Sequence, residues 1–267
     1  MQDFLGSVLA TSKGRLRRLP KDQSLFRAQR GFTWRTEPLR TGEEEDEGTE
    51  VIDVETAHPR ERMVPKADLV GAGRVNPRGI PVLYLATTLT AAVAEMRPWV
   101  GEHVSLARFN VVRDCTVVDC SLNTTGSWAL EIVDLDTTVV PVEPAADARE
   151  VGIWGDIGCA FSTPVTCDES ELEYIPTQIL AETFRSAGYD GVVYKSLLDE
   201  KGKNIALFDV AAAKFTDCCL YRTKAASLEL ARRDDLLRWP ESILSQLRRA
   251  KTFDCGPEKP RKGTTGV

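Results

Sequence analysis

Between Gly71 and Pro98 the chain passes from loop to strand to helix with almost no spacer. Gly71-Ala72-Gly73-Arg74-Val75-Asn76-Pro77-Arg78-Gly79 lacks any apolar period and reads as a loop. Ile80-Pro81-Val82-Leu83-Tyr84-Leu85-Ala86 is an apolar run of strand length, with Tyr84 pointing to the opposite face from Leu83 and Leu85. Thr88 or Thr90 can cap the helix Thr90–Arg97, which Pro98 ends. Strands are predicted at Val104–Val112 and Cys115–Asp119 across an Arg113-Asp114 turn. Two more, Asp190–Tyr194 and Asn204–Val210, flank a polar loop at Lys195–Lys203. A helix is predicted over Tyr174–Ala187, where Ile175, Ile179, Leu180, Thr183, Phe184 and Ala187 recur on one side and Gly188 supplies the stop. No regular βαβα rhythm emerges. The pattern predicts an α+β fold, with a mixed, largely antiparallel sheet and flanking helices, and not a doubly wound nucleotide fold.

The flanks are less ordered in pattern. Residues 1–24 read as a basic, weakly amphipathic lead-in, and Glu37–Glu50 as an acidic, solvated loop built on Glu43, Glu44, Glu45, Asp46 and Glu47. The stretch 121–172 alternates Gly, Pro, Asp and Trp with short apolar pieces and yields no assignment. Leu228–Ala250 reads as a charged amphipathic helix broken at Pro240, and the tail from Gly256 as frayed.

Charge and residue inventory exclude several functions. A formal charge of −6 argues against bulk attraction to phosphate backbones, so no direct nucleic-acid partner is expected. No apolar run approaches the ~18 residues of a membrane span, and nothing at the N-terminus resembles a signal peptide. Seven cysteines cannot all pair within one chain, and none has metal-knuckle spacing; reduced, mostly buried thiols in a cytoplasmic compartment are expected. His58 and His103 are the chain's two histidines, which disfavours His-centred triads and multi-His metal sites. There is no Gly-x-Gly-x-x-Gly, P-loop, Gly-x-Ser-x-Gly or His-Glu-x-x-His.

Polar residues at apolar positions are more informative. Glu95 shares a helix face with Ala91 and Ala92, a small-residue surface suited to close packing, and it sits where the helix dipole disfavours a negative charge. A carboxylate there breaks a local rule and marks a candidate functional residue. Arg27 follows Leu25-Phe26, Arg74 lies in the glycine-bearing loop, and arginine forks match phosphate oxygens bidentately. Ser196 ends a strand, where loops carry polar ligands. Singly, each has an ordinary structural reading.

Together they resemble the RES domain family. The likeness rests on Leu25-Phe26-Arg27, Gly73-Arg74-Val75-Asn76-Pro77, Pro81–Ala86, Ala91–Glu95, Tyr174–Glu182, Gly188–Ser196 and Gly202–Phe208 in that order, and covers about residues 22–215. On this reading residues 1–21 are an N-terminal extension and 216–267 a C-terminal helical extension and tail. The Arg, Glu and Ser of the family name fall at Arg74 or Arg27, Glu95 and Ser196. Where members commonly carry aromatics, this chain has Val75 after the glycine-arginine pair and Ala28 after Arg27.

The resemblance implies an ADP-ribosyltransferase-like fold and a toxin of a toxin–antitoxin pair, neutralised by an Xre-type partner. It implies consumption of NAD by phosphorolysis or hydrolysis, with inorganic phosphate as a possible co-substrate and no other cofactor. Glu95, Tyr84 and Ser196 would be catalytic; Arg27, Arg74, Tyr84, Ser196 and Asn76 would bind NAD. Breaking the nicotinamide–ribose bond develops an oxocarbenium ion, which a fixed carboxylate stabilises; neither histidine nor metal is needed. A protein mono-ADP-ribosyltransferase and a catalytically silent nucleotide-binding or interaction protein are the alternatives.

Overall fold

The computed structural model describes residues 2–38, 51–122, 146–163, 171–199 and 201–225, all within one unit spanning Met1–Ala226. The acidic run 43–47, the helix expected at 228–250 and the tail lie outside the described residues.

Ten strands and five helices follow in chain order among the described residues: α1 (Gln2–Ser12), β1 (Leu16–Leu19), β2 (Ser24–Arg30), β3 (Thr33–Pro38), β4 (Val51–Thr56), α2 (Arg60–Met63), β5 (Leu83–Ala86), α3 (Leu89–Met96), β6 (His103–Val111), β7 (Cys115–Asp119), α4 (Ala146–Ser162), α5 (Ile175–Ser186), β8 (Gly191–Lys195), β9 (Lys203–Leu207) and β10 (Ala213–Arg222). Eight strands form one sheet in the order β1-β7-β8-β9-β5-β2-β6-β10, and β3 with β4 forms a separate hairpin. Among the described residues only β7 and β8 run parallel; every other pairing in the large sheet is antiparallel. The fold is therefore the α+β type expected.

Alternation along the central strands divides the core. Val118, Val192 and Ala206 join Val8, Trp154, Phe161 and Phe184 on the face covered by α1, α4 and α5. Their neighbours Val117, Val193 and Ile205 join Leu25, Met63, Leu83 and Phe109 on the other. This is the period of two that a sheet buried on both faces demands. A third cluster lies beneath α3, where Ala91 and Ala92 meet Ala28, Ala86, Val104 and Leu106. Alanines on both sides let the helix approach the sheet closely.

Several elements depart from expectation. β5 begins at Leu83, not Ile80, because Pro81 has no N–H to give a ladder. α3 is capped by Thr88, whose Oγ1 accepts from Ala91 N at 3.1 Å, and ends at Met96 with Arg97 in the left-handed region, φ 46°. The residue before a proline avoids the right-handed helical region, which explains this stop. β9 ends at Leu207, not Val210: Asp209 accepts from Ala211 N and starts a short 3-10 turn at Val210–Ala212. The buried stripe of α5 is Thr177, Leu180, Ala181 and Phe184, an i, i+3, i+4, i+7 set, while Ile175 and Ile179 are exposed. Residues 2–24 are an integral part of the fold: β1 pairs with β7, and Val8 and Leu19 are buried. Among the described residues of 121–172 the longest element is α4, whose Trp154 and Phe161 are fully buried. Of the five described cysteines, Cys115 and Cys120 are buried, Cys218 is partly buried, and Cys159 and Cys219 are exposed, so the thiols are less uniformly buried than expected.

Candidate active site

β2 and β5 pair through one residue couple, Phe26 and Ala86. Past that couple the two strands cease to pair, and residues of both line a cleft of about 580 Å³. Such a volume suits a small-molecule ligand. Arg27 and Tyr84 contribute from the strands, Glu95 from α3, Arg74 from the loop before β5, Tyr194 from β8 and Asn204 from β9.

Glu95 reaches the cleft because Ala91 and Ala92, one turn earlier on the same face, are buried against the sheet. Its Oε1 accepts two hydrogen bonds, from Asn204 Nδ2 at 2.7 Å and Ser196 Oγ at 3.1 Å. Both donors are neutral, and no Lys or Arg among the described residues is ion-paired to this carboxylate. Glu95 is thus oriented without being neutralised. Ser196 is buried and also accepts from Leu198 N at 3.3 Å, so it serves as a fixed donor beside Glu95.

Arg27 crosses the gap in the sheet: its Nη1 donates to the Tyr84 carbonyl at 3.1 Å. Its Nε is buried with no hydrogen-bond partner. Burial lowers the Arg27 pKa, with the Tyr84 hydroxyl acting in the opposite sense, but guanidinium remains a cation in any protein environment. An unpartnered buried donor on a cation is costly, and an anion entering the cleft would relieve that cost.

Arg74 is more committed. Its Nη1 donates to the carbonyls of Phe161 at 2.7 Å and Ser162 at 3.1 Å, the C-terminal end of α4, where a cation is favoured. Its guanidinium lies 5.9 Å from the centre of the Tyr194 ring.

Tyr84 spends its hydroxyl within the protein, accepting from Val75 N at 3.0 Å and donating to Asn76 Oδ1 at 2.7 Å. What it offers the cleft is its ring. Asn76 lies behind it, buried, with Nδ2 donating to Gly71 O at 3.0 Å and Pro77 O at 2.9 Å. Asn76 therefore shapes the loop that carries Arg74 and does not line the cleft. A Cβ on Gly73 would stand 2.7 Å from the Tyr84 hydroxyl, so only glycine permits this approach. Burial raises the pKa of both Tyr84 and Tyr194; for Tyr194 the nearby Tyr84 adds to the rise, and Arg74 opposes both. Both tyrosines stay protonated.

The structure thus brings Arg27, Arg74, Tyr84 and Glu95 to one cleft, sets Ser196 against Glu95, and leaves Asn76 as support. Sequence reasoning passed over Asn204, Tyr194 and Gln178, whose Nε2 donates to Gly73 O at 2.9 Å and Asn76 O at 3.0 Å. Asn204 carried a readable signal: it is a buried polar residue entering the apolar run Ile205-Ala206-Leu207. The aromatics not found at Val75 and Ala28 have counterparts in the cleft lining, Phe26, Tyr84 and Tyr194.

The model of the RES domain matches residues 53–232. No curated protein matches the sequence. Among solved structures, a chain from the crystal structure of the M. tuberculosis MbcT-MbcA toxin-antitoxin complex aligns at 11% identity and a TM-score of 0.33, covering 80% of this chain and 92% of that one.

Proposed function

Because the chain belongs to the RES domain family, matched over residues 53–232, we propose that it is an enzyme that splits NAD at the nicotinamide–ribose bond and acts as the toxin of a toxin–antitoxin pair. The observation that carries this reading is the pairing, in one cleft, of a buried arginine with an unsatisfied Nε and a carboxylate held by neutral donors. An anionic dinucleotide needs the first, and a developing ribosyl cation needs the second. A site for an anion alone gains nothing from Glu95.

In this account Arg27 takes a pyrophosphate oxygen, and Arg74, anchored on α4, adds positive potential beside it. The rings of Tyr84, Tyr194 and Phe26 supply stacking surface. The departing nicotinamide takes the bonding electron pair and becomes neutral, so no general acid is required. The positive charge left on the ribose is met by Glu95, whose position is set before substrate arrives by Ser196 and Asn204. Preorganised charge of this kind commonly contributes the largest catalytic term. Inorganic phosphate or water then attacks the same carbon. The partner in this reading is an Xre-type antitoxin protein, and the compartment is the cytoplasm; no described helix is long and apolar enough to cross a membrane.

The test is nicotinamide release from NAD by the purified protein with and without inorganic phosphate. Phosphate-dependent release supports phosphorolysis, and phosphate-independent release with free ADP-ribose supports hydrolysis. ADP-ribose recovered on protein would replace this reading with a protein transferase, and tight NAD binding without release would replace it with a silent binder.

A further inference from the structure

Asp199 lies outside the cleft and is not among its lining residues, yet it joins the two segments that hold Glu95 and Ser196. Its Oδ2 accepts from Thr90 Oγ1 at 2.6 Å, in the first turn of α3, and from Thr88 Oγ1 at 2.8 Å, the cap of that helix. Its Oδ1 accepts from Lys201 N at 3.1 Å, and its carbonyl from Gly202 N at 3.2 Å, folding the loop after β8 back on itself. That loop starts at Ser196, whose N–H donates to Gly202 O at 3.4 Å. α3 ends one residue beyond Glu95. The same carboxylate therefore grips the start of the helix that presents Glu95 and the loop that presents its donor.

Gly202 reinforces the contact. A Cβ there would collide with the Ala91 methyl and stand 2.8 Å from both Thr88 Oγ1 and Asp199 Oδ2, so the loop sits against α3 as closely as a chain can. Next to it, Lys203 and Thr87 exchange hydrogen bonds, Lys203 N to Thr87 Oγ1 and Thr87 N to Lys203 O, both at 2.9 Å. Loop and helix thus meet along a continuous seam.

We propose that Asp199 is a positioning residue for the reaction at Glu95: its bonds to Thr88 and Thr90 lock the Ser196 loop onto α3 and so fix the Ser196–Glu95 hydrogen bond. The inference rests on the NAD-cleaving reading of the cleft. The hydrogen bonds from Thr90 and Thr88 also hold the Asp199 carboxyl below the usual carboxylate range, so the clamp is charged at neutral pH. An amide replaces it only in part: with its oxygen toward the Lys201 N–H, its NH2 faces Thr88 Oγ1, which already accepts from Ala91 N at 3.1 Å and Thr90 Oγ1 at 3.2 Å, and the Thr88 hydroxyl proton loses its acceptor.

The test uses the full chain with Asp199→Asn, Thr90→Val and Thr90→Ser. Asp199→Asn and Thr90→Val should lower kcat for NAD cleavage about 10- to 100-fold, the scale expected when a reacting geometry slips by an ångström, with KM changed less than about threefold. Thr90→Ser, which keeps the hydroxyl, should restore kcat to near the wild-type value. Hydrogen exchange supplies a reading independent of activity: the amides of Leu198, Lys201 and Gly202 should exchange faster in Asp199→Asn while those of β8 and β9 stay protected. Wild-type kcat in Asp199→Asn, or Thr90→Ser as slow as Thr90→Val, would overturn the proposal. Should the wild-type protein release no nicotinamide, the NAD reading fails by itself, and unchanged loop exchange in Asp199→Asn would overturn the clamp separately.

Discussion

At Tyr84 a single hydroxyl closes two buried valences, the Val75 N–H and the Asn76 Oδ1. Tyr84→Phe leaves both without a partner, and each such orphan costs about 1–3 kcal/mol. Denaturant unfolding should therefore show a loss of at least about 1 kcal/mol, and NAD affinity should fall with it, since the loop from Gly71 to Gly79 also presents Arg74. The same environment shapes the alkaline titration. Of five tyrosines, Tyr84 and Tyr194 have pKa values raised by burial. Above the ordinary tyrosine range near 10 the unfolded chain releases these two protons while the folded chain keeps them, so the folded state binds more protons and stability falls as pH rises. Tyrosinate absorbance should show two hydroxyls that ionise only together with alkaline unfolding; Tyr84 and Tyr194 ionising near 10 in the folded protein would contradict their burial. The residue scale was also where the sequence was most legible. An arginine directly after Leu25-Phe26 and a glutamate on an alanine face are local departures, visible without coordinates. Asn76 shows the limit: its loop was recognisable, but that its side chain turns inward to Tyr84, away from the cleft, depends on contacts between segments.

Among the elements, α3 couples capping to the site. The Asp199 carboxyl, depressed by its threonine hydrogen bonds, contributes stability that is present above its unfolded pKa and lost as pH falls through the lower, folded value. Thermal unfolding of the wild type should lose this contribution only in strongly acidic buffer. In Asp199→Asn that part of the acid dependence should vanish, and an unchanged acid profile would show that the clamp carries no linkage. Element prediction succeeded where the cue was local: the Gly188 stop of α5 sits at φ 86°, and the Cys115–Asp119 strand has the bounds expected. It failed for β2, β3, β4 and β10, which alternate weakly and carry many charged residues. Their pairing is set by partners far along the chain, such as β2 against β6 and β10 against β6, and no short window contains that information.

For the molecule as a whole, the cleft follows from topology. Inserting α3 after β5 and returning through β6 to the far side of β2 leaves β2 and β5 adjacent but paired at one couple, and the site fills that gap. The family resemblance took in residues 22–215, yet the sheet extends beyond both limits, through β1 on one side and to Arg222 in β10 on the other. Deleting residues 1–21 removes an edge strand and the buried Val8 and Leu19, whose burial contributes at least about 3 kcal/mol together. The truncated protein should unfold at markedly lower denaturant concentration, and an unchanged midpoint would show that this segment is dispensable to the fold.

On the reading proposed above, the charge of Glu95, and not merely its shape, drives cleavage of NAD. Glu95→Gln isolates that charge, because both hydrogen bonds meet Oε1 and a glutamine carbonyl can accept them unchanged. The decisive measurement is nicotinamide release by wild type and Glu95→Gln at saturating NAD, with NAD affinity determined on the same samples. The account predicts a rate lowered about 100- to 1,000-fold with affinity held within about threefold. Equal rates in the two proteins would contradict it.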